Sequence, residues 1–114
     1  MSFEIPILIV AWKRPDKLKF LLSKLKEIRP KTIYISIDGP NDNDVCRKKV
    51  NETKNIVETT INWPCDFKKK YEQKNLGCKR GVSEGISWLF NYEKQGIILE
   101  EDCIPNLSFF YFVE

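Results

Sequence analysis

The sequence contains no histidine among its 114 residues, and its four cysteines show no CxxC spacing. Without histidine there is no His-based catalytic triad and no imidazole general base. Zinc sites depend largely on histidine and on closely spaced cysteine pairs, so a zinc site is not expected. We interpret the cysteines as free, partly buried thiols of a protein in a reducing compartment.

The chain also lacks any apolar run approaching the roughly 18 residues that suggest a membrane helix. Its start, MSFEIPILIVAW, has neither the basic lead nor the small-residue cleavage site of a signal peptide. We therefore expect no membrane span and a cytoplasmic location. The net charge of +3 is mild, and the one dense basic run, at positions 68–70, is typical of a solvated edge strand. Nucleic-acid binding is not expected.

What remains, 42% hydrophobic and 31% charged residues, is the composition of one small globular domain. Four short apolar segments predict strands, and three intervening segments with apolar residues at helical spacing predict helices. The resulting order is β-α-β-α-β-α-β, with crossovers long enough for parallel pairing. This pattern predicts an α/β fold with a mainly parallel sheet in the strand order 3-2-1-4, the mononucleotide-binding half of a doubly wound, Rossmann-like fold.

The residues that follow the predicted strands are expected to meet in one crevice, because the carboxyl ends of parallel strands share one sheet edge. Strand one is followed by Arg14, strand two by Asp38, and strand four by the acids Glu100, Glu101 and Asp102. Asp38 can accept hydrogen bonds from a base or ribose, and Arg14 can pair with phosphate oxygens. The acids would repel a diphosphate unless Mg²⁺ or Mn²⁺ bridged the two groups.

The usual glycine cradles for phosphate, GxxxxGK[ST] and GxGxxG after the first strand, are absent. Glycines at positions 77, 81 and 85 are instead spaced by four along the third predicted helix. Close packing of this helix on the sheet and close approach of a nucleotide explain that spacing equally well.

Each candidate site residue also has a purely structural interpretation. Asp38 fits an Asp-Gly turn, the three acids fit a surface loop in which Asp102 caps a helix, and Arg14 fits a solvated residue beside Pro15. The joint placement of these residues at one sheet edge favours a nucleotide-diphosphate site over this interpretation.

Four segments together resemble the nucleotide-binding half of glycosyltransferases with the A-type fold: PILIVAWKRPDKLKFLLSKL, IYISIDGPND, NLGCKRGVSEGISWLF and GIILEEDCIPNLSFFYF. The resemblance is to the N-acetylglucosaminyltransferase I-like branch of that family. It implies a nucleotide-diphospho-sugar transferase fold with three α/β/α layers. It also implies transfer of a sugar from a nucleotide-diphosphate donor, a UDP-sugar, to a carbohydrate or glycoconjugate hydroxyl, with Mn²⁺ or Mg²⁺ as the cofactor.

The resemblance further implies roles for single residues. Asp102 matches the direct metal ligand of the family's acidic motif. Glu101 matches a residue near the ribose and donor sugar, and Glu100 matches one that supports the nucleotide side of the site. Asp38 matches the acid that binds the base, and Arg14 matches the basic residue that faces the nucleotide. No residue of the chain is assigned as the catalytic base.

In this family the acidic motif lies near the middle of the catalytic domain, and the acceptor-binding half follows it. We therefore expect residues 1–114 to form a single donor-binding domain without the acceptor-binding half. Such a domain could also be a catalytically inactive nucleotide-sugar-binding or interaction module. The last segment, PNLSFFYFVE, is expected to begin a short helix or an extended arm. A half-domain of this kind would leave apolar surface uncovered at the fourth strand, so dimerisation or marginal stability is expected.

Overall fold

The structure, a computed structural model, describes residues 4–101 and the backbone of the strand at 110–113. Asp102, the predicted metal ligand, lies outside the described residues. Strands and helices alternate from the first to the fourth strand as predicted, and a fifth strand follows. The elements are β1 (Ile7–Ala11), α1 (Pro15–Ile28), β2 (Thr32–Ile37), α2 (Asp44–Thr60), β3 (Asp66–Tyr71), α3 (Cys78–Phe90), β4 (Gln95–Glu100) and β5 (Phe110–Val113).

The strands form one sheet in the order β3-β2-β1-β4-β5. The first four strands are parallel, and β1 lies between β2 and β4. The predicted order 3-2-1-4 is therefore confirmed. β1 occupies this position because its sequence, ILIVA, is apolar throughout and suits a strand covered on both faces.

The strand β5 was not predicted as a pairing element. It runs antiparallel to β4, with Gln95 opposite Val113 and Ile98 opposite Phe110. The main-chain edge of β4 is therefore covered by β5, whereas the expectation of uncovered apolar surface at this strand stays a prediction. Of the two interpretations of the last segment, residues 110–113 follow the extended one.

Three layers result, with α1 and α2 on one face of the sheet and α3 on the other. The leucines of α1 and the apolar side chains of α2 pack against the odd-numbered residues of β1 and β2. On the opposite face, Leu89 of α3 packs with Leu8, Tyr34 and Ile98. The connections from β1 to β2 and from β2 to β3 run towards the same edge of the sheet, so right-handed crossovers place α1 and α2 on the same face. The connection from β3 to β4 runs in the opposite direction, so it places α3 on the other face.

The strand β3 lies at the other edge of the sheet and carries the three consecutive lysines. Its edge position confirms the interpretation of this basic run as an edge strand. Lys69 and Tyr71 both donate hydrogen bonds to Glu58 of α2. These two hydrogen bonds lower the pKa of Glu58 below its ordinary value. Across the described part of the chain, no helix has the length and apolarity needed to cross a membrane.

Candidate functional site

A cleft of about 340 Å³ lies at the carboxyl ends of β1, β2 and β4, beneath the first turns of α3. Arg14, Asp38, Glu100 and Glu101 all line this cleft. The chain extends from β1 to β2 and β3 on one side of the sheet and then returns to β4 on the other side of β1. The cleft therefore lies beside this topological switch point, where α/β sheets bind ligands. Four of the five predicted site residues are thus brought together, while their roles towards a ligand stay predictions.

The carboxylate of Asp38 is buried at the end of β2 and accepts four hydrogen bonds. Its Oδ1 accepts from the backbone N–H of Gly39 at 2.8 Å and of Leu76 at 2.8 Å. Its Oδ2 accepts from the side-chain amide of Asn75 at 3.2 Å and from the N–H of Gly77 at 3.2 Å. A carboxylate has about four lone-pair positions, so the acceptor capacity of Asp38 is used within the chain.

Gly77 caps the third helix in a backbone conformation that L side chains rarely adopt. Its φ is 90°, which glycine tolerates because it has no Cβ. In this conformation the chain enters α3 while the N–H of Gly77 donates to Asp38. A negative side chain beside the N-terminus of a helix is also favoured by the helix dipole. Asp38 therefore joins the end of β2 to the start of α3.

Glu101 is the second buried carboxylate of the cleft, with 9% of its surface exposed. Its Oε2 accepts from the backbone N–H of Arg14 at 3.1 Å, and the backbone N–H of Glu101 donates to the carbonyl oxygen of Val10 at 3.1 Å. The backbone amides of Trp12 and Lys13 also bind this carboxylate. Glu101 therefore fastens the end of β4 to the turn between β1 and α1.

The pKa of Glu101 is raised above its ordinary value by burial, because desolvation disfavours the charged form. The backbone amides of residues 12–14 and the guanidinium of Arg14 lower this pKa, but by less. A buried carboxyl group with a raised pKa in a cleft is a candidate for a functional role, and structural networks perturb pKa values in the same way.

Arg14 and Glu100 differ from the two buried acids because both are exposed. Arg14 immediately precedes α1, whose first residue, Pro15, has the fixed φ that suits a helix start. Glu100 is the last residue of β4 and lies opposite Val10 of β1 in the parallel register. These positions leave one cationic and one anionic side chain on the solvent side of the cleft.

Trp12 connects the ends of β1 and β2 at the floor of this region. Its indole N–H donates to the carbonyl oxygen of Gly39 at 2.9 Å, and the ammonium of Lys13 lies 4.2 Å from the centre of its ring. Gly39 itself approaches Lys74 so closely that a Cβ on Gly39 would lie 2.5 Å from the carbonyl carbon of Lys74. The walls of the cleft are therefore held by contacts between segments far apart in sequence.

The glycines of α3 divide between the two explanations given for their spacing. A Cβ on Gly85 would contact Leu8, Ser36 and Val10 at 3.5 to 3.6 Å, so Gly85 brings the helix close to the sheet. Gly81 instead lines the cleft, and a Cβ there would meet only the carboxylate of Asp38, at 3.8 Å. Close packing therefore accounts for Gly85, whereas Gly81 leaves open space beside the candidate site.

A divalent cation at this cleft would have to be held by carboxylates. Within residues 4–101 and 110–113, no group of three metal-ligating side chains comes together. In the acidic motif, Glu101 binds the turn after β1, Glu100 is exposed at the cleft, and Asp102 lies outside the described residues. Oxygen donors of this kind fit Mg²⁺ or Mn²⁺ better than zinc. The assignment of Asp102 as the metal ligand stays a prediction.

Some residues of the site were not assigned from the sequence. Cys78 and Val82, in the first turns of α3, line the cleft. The only sequence signal for them was their place just after the segment that follows β3. Asn75, Leu76 and Gly77 lie between β3 and α3, and nothing in the sequence indicated that they would bind Asp38.

Comparison with known proteins found no protein-family model and no curated protein that matches the chain. We therefore infer function from the geometry and chemistry of the cleft together with what the sequence resemblance implies.

Proposed function

We propose that the cleft binds a nucleotide-diphosphate sugar, specifically a UDP-sugar, and that the chain is the donor-binding domain of a glycosyltransferase with the A-type fold. The observation that supports this proposal is the presence of one cation and three carboxylates, Arg14, Asp38, Glu100 and Glu101, around a single cleft of about 340 Å³. Small-molecule sites occupy roughly 300–1,000 Å³, and in open α/β sheets they lie at the carboxyl ends of the strands.

The charges around the cleft suit a ligand with chemically different ends. The exposed guanidinium of Arg14 can form paired hydrogen bonds with phosphate oxygens. The acids at the end of β4 would repel a diphosphate unless a cation neutralised it. Asp102 would hold Mn²⁺ or Mg²⁺, and Glu100 would support the nucleotide side of the site. When bound, the metal would neutralise the diphosphate leaving group, a contribution of several kcal/mol.

In the proposed reaction, a hydroxyl of a carbohydrate or glycoconjugate acceptor attacks the anomeric carbon of the sugar. The new glycosidic bond forms as the bond between that carbon and the diphosphate oxygen breaks, the electron pair leaves with the nucleotide diphosphate, and the hydroxyl proton is released to solvent. The residues of the cleft would bind and orient the donor for this step. Holding the reacting groups in place is itself a large source of rate acceleration.

The alternative function is a catalytically inactive nucleotide-sugar-binding or interaction module. One observation favours it: the carboxylates of Asp38 and Glu101 are both bound by the chain's own main-chain amides. Carboxylates whose oxygens are held by main-chain amides are poorly placed to act as a catalytic base, which an inactive module does not need. Incubation with UDP-sugars and an assay for free UDP separate the two functions, because only an active enzyme releases UDP by transfer or hydrolysis.

The proposal is tested by calorimetric titration of UDP and GDP into the protein, with and without Mn²⁺. We expect UDP to bind only when the metal is present. Asp102→Ala should abolish this metal-dependent binding. Arg14→Ala should weaken it roughly tenfold or more, because hydrogen bonds to charged groups contribute about 1.5–3 kcal/mol.

Matched controls come from α2, where Asp44 and Arg47 form an exposed ion pair that does not line the cleft. Asp44→Ala and Arg47→Ala make the same chemical changes as the test variants, and we expect them to bind UDP with wild-type affinity. If the folded wild-type protein bound neither nucleotide in the presence of Mn²⁺, the proposal would be overturned.

A further inference from the structure

The hydrogen bonds of Asp38 point to a role different from the base contact that the family resemblance implies. Only 8% of Asp38 is exposed, and three of the four donors to its carboxylate come from the segment 75–77, which leads into α3. The fourth donor is the adjacent N–H of Gly39. The side chain is thus used to join β2 to a segment more than 35 residues later in the chain.

A base could reach the carboxylate of Asp38 only by displacing one of these donors. The amides of Leu76 and Gly77 are part-buried backbone groups, and an N–H shielded from water that loses its acceptor is unfavourable. Asn75 has a second acceptor, since its amide also donates to the carbonyl oxygen of Gly39 at 3.1 Å. No lone pair of Asp38 is left over for a ligand while these bonds persist.

Further contacts show that the segment 74–77 is fitted closely to the end of β2. Lys74 lies against Gly39 at a distance that excludes even a methyl group there. The carbonyl oxygen of Gly39 accepts from both Trp12 and Asn75, so β1, β2 and this segment meet at one point. Gly77, at the end of the segment, lines the cleft, as does Gly81 one turn further along α3.

We propose that Asp38 is a positioning residue, which holds the segment 75–77 and the first turn of α3 in place as one wall of the cleft. A nucleotide then contacts the wall and not the carboxylate of Asp38, so Asp38 does not select the base. The statement about the nucleotide rests on the proposed function, whereas the statement about the wall applies to the ligand-free protein.

The wall is tested by NMR measurement of amide hydrogen exchange in the ligand-free full chain. Asp38→Asn retains one oxygen acceptor, so at most two of the four donors keep a partner. The backbone amides that donate to Asp38 are those of Gly39, Leu76 and Gly77. We expect the exchange rate to rise roughly tenfold or more at each of these amides that loses its acceptor, after correction for any change in the exchange that occurs through global unfolding. The control Asp66→Asn, at the exposed start of β3, should leave these amides unchanged.

Unchanged exchange at all three amides in Asp38→Asn would overturn the positioning role. If that variant does not fold, Asn75→Ala replaces it, because it keeps the carboxylate and removes the side chain that ties the segment to both Asp38 and Gly39. Faster local exchange at Leu76 and Gly77 is expected there, and wild-type exchange would again contradict the proposal.

Base selectivity distinguishes a positioning residue from one that contacts the base. In the presence of Mn²⁺, Asp38→Asn should reduce the affinities for UDP and for inorganic diphosphate, which carries no base, by the same factor. A loss confined to UDP would show that Asp38 contacts the base and would overturn the inference. If wild-type protein binds neither nucleotide, the proposed function fails, and the exchange measurement alone still decides whether Asp38 holds the wall.

Discussion

Two glycines on the same face of α3 allow a prediction with a built-in control. Gly81→Ala and Gly85→Ala each add one methyl group in the interior of a helix of 13 residues. Alanine in a helix interior is favoured over glycine by about 0.8–1 kcal/mol. Neither methyl meets a prohibitive contact, since the nearest atoms lie 3.8 Å away at position 81 and 3.5 Å away at position 85. Both variants should therefore unfold at temperatures about 4 °C higher than the wild type.

The same two variants should differ in ligand binding. The methyl at position 81 enters the cleft beside Asp38, whereas the methyl at position 85 packs between α3 and the sheet. A single added carbon in a fitted site changes affinity by roughly tenfold or more. We expect Gly81→Ala to lose that much UDP affinity in the presence of Mn²⁺ and Gly85→Ala to bind like the wild type.

Thermal unfolding followed by circular dichroism and calorimetric titration of UDP measure the two effects separately. A loss of stability in either variant would refute the described packing of α3. Equal affinities of Gly81→Ala and Gly85→Ala would refute the close approach of a ligand to α3 at Gly81.

Three further predictions concern the framework around the cleft. Gly39→Ala should destabilise the protein by about 1–3 kcal/mol in urea unfolding, because its Cβ would lie 2.5 Å from the backbone of Lys74; a neutral result would contradict that close approach. Leu89→Ala removes a fully buried side chain between α3 and β4 and should lower the free energy of unfolding by about 2–5 kcal/mol, and a loss below about 1 kcal/mol would contradict this packing. The pKa of Glu58 is lower in the folded protein than the value of about 4.3 expected in the unfolded chain. Its bonds with Lys69 and Tyr71 therefore stabilise the fold fully at pH values above about 4.3, and this stabilisation is lost as the pH falls through the folded pKa. The stability difference between wild type and Glu58→Gln should thus shrink from pH 6 to about pH 3, and a difference that grows on acidification would contradict this sign.

The order of strands and helices could be predicted because its signals are local. Five consecutive apolar residues at Ile7–Ala11 indicate a strand covered on both faces, and the leucines of α1 recur at helical spacing. Right-handed crossovers then restrict the strand order to very few arrangements. The pairing of β5 could not be predicted in this way, because a short apolar segment suits a helix or a strand until a partner edge selects one of them.

The candidate site was predictable in position but not in its internal bonding. Parallel strands that end at one edge bring Arg14, Asp38 and Glu100 together, whatever their side chains do. The sequence did not indicate that the carboxylate of Asp38 would bind residues 75–77 or that Glu101 would bind the turn at residues 12–14. Both acids were expected to face a ligand.

The sequence by itself determined the fold class, the edge of the sheet where polar residues collect, and the absence of histidine chemistry. These follow from hydrophobic periodicity, from the direction of parallel strands and from composition. Only the tertiary structure decided which carboxylates hold the walls of the cleft and which side chains, Arg14 and Glu100, remain exposed there. The physical reason is that a carboxylate is satisfied by whichever donors lie next to it in space, and here those donors are 38 residues from Asp38 at Leu76 and 87 residues from Glu101 at Arg14.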